Sequence, residues 1–295
     1  MKRLRRDVIV HRPAEGGVEI VDTLLERAHR VPEGLGNPPE PGAAVTDVRL
    51  AAWLEAELLT ESPVIDQLRL AGWAARARRT VRRPTLTEAP GPWHRAPELP
   101  DWIASAWRAP ERWRRLGEAR AAGQRLLRLE GLLTHEVATR WRDVASCAAT
   151  TRCDNAYASG YWDQDTAALP DWRDALTAGP LHDLLGAALG LALPAAVQLN
   201  AWRLGSGDRM AMHSDGTRYA ATVSLGLCPD WRAVDGGAIA FGWPTEAGLE
   251  VRERWLPQLG DALAFAVEAM LWHAVEPVAC HERVTLTAQY LVEAA

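Results

Sequence analysis

The feature that most constrains this chain is a change of texture at Pro194. From there onward, short segments with period-two alternation follow one another at 197–204, 220–227, 238–241, 249–254, 262–267, 271–275 and 284–291. Turn signals separate them: Gly205-Ser206-Gly207, Pro229-Asp230, Asp235-Gly236-Gly237, Pro244 and Gly260-Asp261. Side chains of a strand alternate between its two faces, so each segment has a face to bury. Seven or eight short strands punctuated by turns predict an all-β sandwich or barrel.

Upstream the periods are different. Val8-Ile9-Val10 and Val18-Glu19-Ile20-Val21 flank Glu15-Gly16-Gly17, a hairpin-type turn, and a third strand is expected near His29-Arg30-Val31. A helical pattern begins at Asp47 and places Val48, Leu50, Ala51, Leu54 and Leu58 on one side. Ser62 as N-cap and Pro63 at the first helical position open another, reaching about Arg79. Five prolines between 84 and 100 mark a linker. Helical pattern returns from Trp102 through Arg128. Thr134 fits the N-cap of a further helix, and two more are expected at 171–176 and 181–191. The organisation expected is a small α/β accessory domain at 1–84, a Pro-rich linker and helix at 85–125, and a β-rich module at 126–295. The class is an all-β core braced by α-helices, α+β overall.

Composition excludes several chemistries. At 48% apolar the chain can bury a core. Lysine occurs once, at Lys2, among 33 basic residues, so a phosphate-binding G-x-x-x-x-G-K loop and an internal Schiff-base lysine are both ruled out. After the basic Met1–Arg6 only Val8–Val10 is apolar before His11, too short for a secretory signal. The longest apolar run, 184–199, is broken by Pro194 and falls short of the ~18 residues of a membrane span. Four cysteines without C-x-x-C spacing suit a reduced, cytoplasmic protein. A net charge of −5 disfavours nucleic acid as a partner. The arginines at 76, 78, 79, 82 and 83, and at 112, 114 and 115, read as solvated helix faces, with a docking surface for an acidic partner as the alternative.

The β region holds one H-x-D, His213-Ser214-Asp215. Residues i and i+2 of a strand share a face and can bind one ion together. His273 follows in a later strand, then Arg283 and, two residues on, Thr285. Two histidines and a carboxylate form the facial triad of non-haem Fe(II) oxygenases. Other conspicuous residues have plainer readings. Met210 and Met212 are expected to pack, as are Trp243, Trp255 and Trp272. Cys147, Cys153 and His135 lack a fourth zinc ligand at a suitable spacing. Asn155–Tyr157 and Ser159–Trp162 read either as strand and turn or as a lid over a substrate.

Residues 197–291 resemble the Fe(II)- and 2-oxoglutarate-dependent dioxygenases, in particular the prolyl-4-hydroxylase-like branch. The resemblance rests on Asn200-Ala-Trp-Arg-Leu-Gly205, Met210-Ala-Met-His-Ser-Asp215, Asp235-Gly-Gly-Ala-Ile239, Gly260-Asp-Ala-Leu-Ala-Phe265, Trp272-His-Ala-Val-Glu-Pro-Val278 and Arg283-Val-Thr285. Leu126–Ala145 is similar to the helix that opens such modules. The resemblance implies a double-stranded β-helix (jelly roll) with metal at one open end. It implies Fe(II) on His213, Asp215 and His273, and 2-oxoglutarate and O2 as cosubstrates. Arg283 would hold the distal carboxylate of 2-oxoglutarate, with Thr285 adding a hydrogen bond. Asn200 and Trp202 stand where the related AlkB-like branch carries an Asn-x-Tyr pair that touches the cosubstrate. Trp202 lacks the phenolic hydroxyl and reads more readily as a wall.

Halogenases of the superfamily replace the carboxylate with Gly or Ala, so Asp215 favours hydroxylation, with desaturation or ring formation open. The three strands and helices of residues 1–80 resemble winged-helix peptide-recognition domains, which implies a peptidyl or carrier-bound substrate over a free amino acid or other metabolite. An AlkB-like nucleic-acid demethylase and a non-catalytic β-barrel binding module are the alternatives.

Overall fold

The computed structural model describes residues 3–4, 8–11, 17–22, 27–32, 34–35, 37–39, 43–54, 59–60, 98–154, 158–164, 169–213, 215, 219–245, 248–267 and 271–292. The helix expected at 63–79, its arginine cluster and most of the Pro-rich stretch lie outside them.

In the N-terminal part, β1 (Arg3–Leu4) pairs with β5 (Leu59–Thr60), and β2 (Val8–His11), β3 (Glu19–Asp22) and β4 (Arg27–Arg30) form an antiparallel three-stranded sheet. The helix α1 (Val48–Leu54) starts where Asp47 accepts the backbone N–H groups of Arg49 and Leu50. Those donors would otherwise be orphaned at a helix start, and their bonds hold the Asp47 carboxyl below its usual range. Leu4, Ile20, Val45, Leu50 and Leu54 form a small core of their own.

The C-terminal part runs α2 (Pro110–Ala121), β6 (Leu126–Leu129), α3 (His135–Ala148), β7 (Thr151–Asp154), β8 (Ser159–Gln164), α4 (Pro170–Thr177) and α5 (Pro180–Leu189). There follow β9 (Val197–Leu204), β10 (Met210–His213), β11 (Tyr219–Gly226), β12 (Ile239–Thr245), β13 (Gly248–Trp255), β14 (Ala262–Ala266), β15 (Trp272–Val275) and β16 (Arg283–Leu291). They make two antiparallel sheets. The larger has the order β6-β14-β11-β16-β9-β8-β7, the smaller β10-β15-β12-β13. This is the jelly roll that the resemblance implies, one form of the sandwich or barrel that the strand pattern predicts, with helices on one side.

Alternation decides which residues go where. Leu199, Ala201, Val223, Leu225, Leu286 and Ala288 face the helices and pack with Trp113, Trp141 and Trp172. Leu204, Ile239, Phe241, Leu263, Phe265 and Val275 fill the space between the sheets. Strand β11 is buried along its whole length, yet Thr222 and Ser224 occupy its inter-sheet face, where apolar residues would be the default.

Two expectations need correction. The sequence extends helical pattern through Arg128, and the resemblance covers 126–145 with an opening helix, although Thr134 is the N-cap that the sequence itself offers. Helix α2 instead stops at Ala121, and the chain turns through Gly123 at φ +98°. Leu126–Leu129 is an edge strand paired with β14, and the helix begins only at His135. Leu127 and Leu129 pack against the helices and Leu126 between the sheets, so Arg128 is the one polar residue of the strand and too little to reveal its period. Thr134 occupies the N-cap position, but its hydroxyl makes no capping bond. Among the described residues no helix is long and apolar enough to cross a membrane.

Candidate active site

Between the sheets lies a cavity of about 410 Å³, and the side chains singled out in the sequence converge on it. Antiparallel pairing puts His213 of β10 directly opposite His273 of β15, their rings 4.4 Å apart. Asp215 stands two residues beyond His213. Its Oδ1 is 3.7 Å from His213 Nε2 and 3.5 Å from His273 Nε2, and the three ligand atoms lie within 4.8 Å of one another. The other oxygen, Oδ2, accepts a 2.6 Å hydrogen bond from the Thr222 hydroxyl. Thr222 thereby turns Oδ1 toward both histidines. Phe241 and Phe265 pack about the His273 ring at 5.7 and 5.3 Å.

That packing has an electrostatic result. His273 is 8% exposed, and burial lowers its pKa from 6.5 to about 4; Asp215 opposes the shift and His213 adds to it. The imidazole is neutral at physiological pH, the state a metal ligand needs. Below pH 6.5 the unfolded chain takes up a proton here that the folded chain refuses until about pH 4. Metal-free protein is therefore expected to lose stability progressively over that window, and His273→Phe to flatten the dependence; urea melts from pH 7 to pH 4 measure it.

Arg283 lines the same cavity and is buried. Its Nε donates to the Gly237 carbonyl at 2.7 Å and its Nη1 to Thr285 Oγ1 at 3.0 Å, while Nη2, equally buried, has no partner among the described residues. Gly237 must be glycine: its φ is +64°, and a Cβ there would sit 2.8 Å from Arg283 Cδ. A buried guanidinium with an unmet donor is costly unless an anion completes it. A small carboxylate meets that need, and so the residues fit 2-oxoglutarate.

The metal donors fit Fe(II) equally well. Two imidazole nitrogens and a carboxylate oxygen, with no sulfur among them, form an N/O donor set on one side of an ion and leave its other side free.

The site's sequence finds a counterpart among known families. Residues 197–290 match the family described as the 2OG-Fe(II) oxygenase superfamily.

Residues 197–290 are a 2OG-Fe(II) oxygenase domain.

Fe(II), 2-oxoglutarate and O2 are its cofactor and cosubstrates. A prolyl-4-hydroxylase from Pseudomonas putida shares the fold with a TM-score of 0.51, at 16% identity over 61% of this chain and 99% of that one. A 2OG-Fe(II) oxygenase family oxidoreductase from Burkholderia pseudomallei aligns at 0.45, with 18% identity over 61% and 90% of the two chains. A prolyl hydroxylase from Trichoplax adhaerens, solved with a hypoxia inducible factor peptide fragment, aligns at 0.49, with 14% identity over 66% and 96%. No curated protein matches the sequence.

The oxygenase domain gives Asn200 and Trp202 surroundings that the sequence did not reveal. Asn200 accepts from Gln198 Nε2 at 3.2 Å and donates to Gln289 Oε1 at 3.3 Å, and Tyr219 donates to Gln198 Oε1 at 3.2 Å. Both ends of the Asn200 amide are thus engaged within the protein. Trp202 stacks on Trp162 at 5.7 Å and 22°, forming a wall of the cavity. Of the segments weighed as a lid, Ser159–Trp162 is part of strand β8, while 155–157 lie outside the described residues. Trp255 and Trp272 are core residues. Sequence reasoning overlooked Thr222, Gln198 and Gln289. Stepping by two from Asn200 and Arg283 would have found the glutamines, since 198, 200 and 202 share one face of β9, and 283, 285, 287 and 289 one face of β16.

Thr222→Val keeps the shape of the side chain and removes the bond that aims Asp215. It is expected to weaken Fe(II) binding about 10- to 100-fold with little change in fold, as measured by titrating Fe(II) against succinate formation.

Proposed function

We propose that the oxygenase domain hydroxylates an aliphatic C–H bond of an amino-acid-type substrate, peptidyl or carrier-bound in preference to free, in specialised metabolism. The observation that carries this reading is Asp215: its carboxylate, 5% exposed and held by Thr222, stands beside His213 and His273 as a third ligand. In this reading His213, Asp215 and His273 hold Fe(II). Arg283 takes the distal carboxylate of 2-oxoglutarate through its free Nη2, and Thr285 helps fix the guanidinium. Asn200 and Trp202 shape the cosubstrate's wall, Asn200 through its amide neighbours and Trp202 through its stacked ring.

When bound, Fe(II) with 2-oxoglutarate and O2 supplies the oxidation: the keto acid leaves as succinate and CO2, and one oxygen atom goes to the substrate. The protein's task is to bind, orient and exclude water. The cavity, about 410 Å³, is at the small end for ligand sites, which suits a small reacting group presented by a larger carrier.

The test is a substrate panel assayed with Fe(II), 2-oxoglutarate and O2, reading succinate and a mass gain of one oxygen atom. Free amino acids, short peptides and pantetheine thioesters of amino acids are compared with a methylated single-stranded oligonucleotide. Stimulation by a peptide or thioester, with the mass gain, supports the proposal. Demethylation of the oligonucleotide would replace it with the AlkB-like reading. Deleting residues 1–84 is expected to raise KM for a peptidyl or carrier-bound substrate and leave kcat unchanged.

A further inference from the structure

The hydrogen bond that seats Arg283 joins two loops, and both carry metal-ligating side chains outside the active-site triad. Asp235 lies two residues before Gly237, and Cys280 and His281 lie just before Arg283. Asp235 Oδ1, Cys280 Sγ and His281 Nε2 fall within 4.8 Å of one another. The Cys280 thiol donates to Oδ1 at 3.1 Å, and His281 Nε2 stands 4.0 Å from the same oxygen.

The carboxylate is fixed and the other two ligands are accessible. Asp235 is 2% exposed, and its Oδ2 accepts the Arg232 backbone N–H at 2.7 Å, which leaves Oδ1 toward Cys280 and His281. That backbone bond holds the Asp235 carboxyl below its usual range, so it is ionised. A second observation concerns the backbone. His281 has φ +65°, the left-handed region that non-glycine residues seldom adopt, and strain of this kind collects at functional sites. A cavity of about 370 Å³ borders both Asp235 and His281, giving an ion a path in and room for a further ligand.

We propose that Asp235, Cys280 and His281 form a second metal site, for a zinc-like divalent cation. Tetrahedral zinc with sulfur, nitrogen and oxygen ligands needs ligand-to-ligand spacings of about 3.3–3.7 Å, close to those already present. On binding, the S–H bond of Cys280 breaks, its proton leaves to solvent and a sulfur–metal bond forms. A 2+ ion then meets one carboxylate, one thiolate and one neutral imidazole, and the charges cancel. Ligand type sorts the two sites: thiolate selects zinc, whereas the sulfur-free triad suits Fe(II).

The position gives the site a role. Ala279 N–H donates to the Asp235 carbonyl at 2.8 Å, and Gly237 N–H to that of Pro277 at 3.1 Å. A metal here would staple the 277–282 loop to the 235–237 turn, the two segments that set Arg283.

The proposal stands apart from any substrate assignment and is tested with metal alone. Metal-free wild type, Cys280→Ser and His281→Ala are titrated anaerobically with Co²⁺. Wild type is expected to bind two equivalents, one of which brings a near-ultraviolet sulfur-to-cobalt band that Zn²⁺ abolishes. Cys280→Ser should lose that band and that equivalent, and keep the other equivalent. His281→Ala should weaken the banded site at least about tenfold. Because both side chains are exposed, neither change threatens the fold. Absence of the sulfur band in wild type, or its persistence in Cys280→Ser, would overturn the proposal.

Discussion

Replacing any one of His213, Asp215 and His273 by alanine is expected to cut Fe(II)-dependent succinate formation on the order of a thousandfold, while the three variants differ in stability. The common loss follows from the proposed site: each would supply one ligand atom, and two remaining ligands would hold Fe(II) poorly. The stability differences follow from what surrounds each residue. Asp215→Ala removes a carboxylate that is 5% exposed and held by the Thr222 hydroxyl, so the metal-free variant should melt close to wild type. His273→Ala leaves a void between Phe241 and Phe265 and should melt several degrees lower. His213 is less buried, and its loss should cost the least stability. Assaying succinate and thermal unfolding on the same preparations separates the chemical effect from the structural one. Near wild-type succinate from Asp215→Ala would remove Asp215 from the metal site.

Those residues were legible because the information is local. H-x-D puts two of the three within three consecutive letters, and the third, His273, lies on a later strand of the same module. Strands with one polar face were legible too. Leu126–Leu129 was not, because one exposed residue, Arg128, among three buried leucines is too little alternation to distinguish strand from helix. Thr222 was hidden for another reason: it lies seven residues from Asp215, a spacing with no strand period to link the two. The amide series Gln198–Asn200–Gln289 is cross-strand, joining residues 89 apart in the chain. The cluster of Asp235 with Cys280 and His281 likewise depends on two loops meeting. Register and loop closure, rather than residue type, made these contacts.

The second large effect is expected at Arg283. Among many arginines and a single lysine, this one is fully buried, and its pKa falls to about 10 through burial, with Cys228 opposing the shift. At neutral pH it still carries its charge, so the cosubstrate-free protein holds a buried cation with an unmet donor. A dicarboxylate that completes it is bound strongly and stabilises the fold by mass action, by about 2.7 kcal/mol at a hundred times Kd. Arg283→Leu should raise KM for 2-oxoglutarate about a hundredfold or more and abolish the rise in Tm that the cosubstrate gives wild type. Arg283→Lys keeps the charge but loses the planar fork. Its ammonium cannot hold Gly237, Thr285 and a carboxylate in the same geometry, so KM should rise about tenfold. The ordering Arg, Lys, Leu is the informative result, since charge alone would make Lys equal to Arg. Unchanged KM in Arg283→Leu would mean that 2-oxoglutarate binds elsewhere, and the buried guanidinium would then need another anion to explain it.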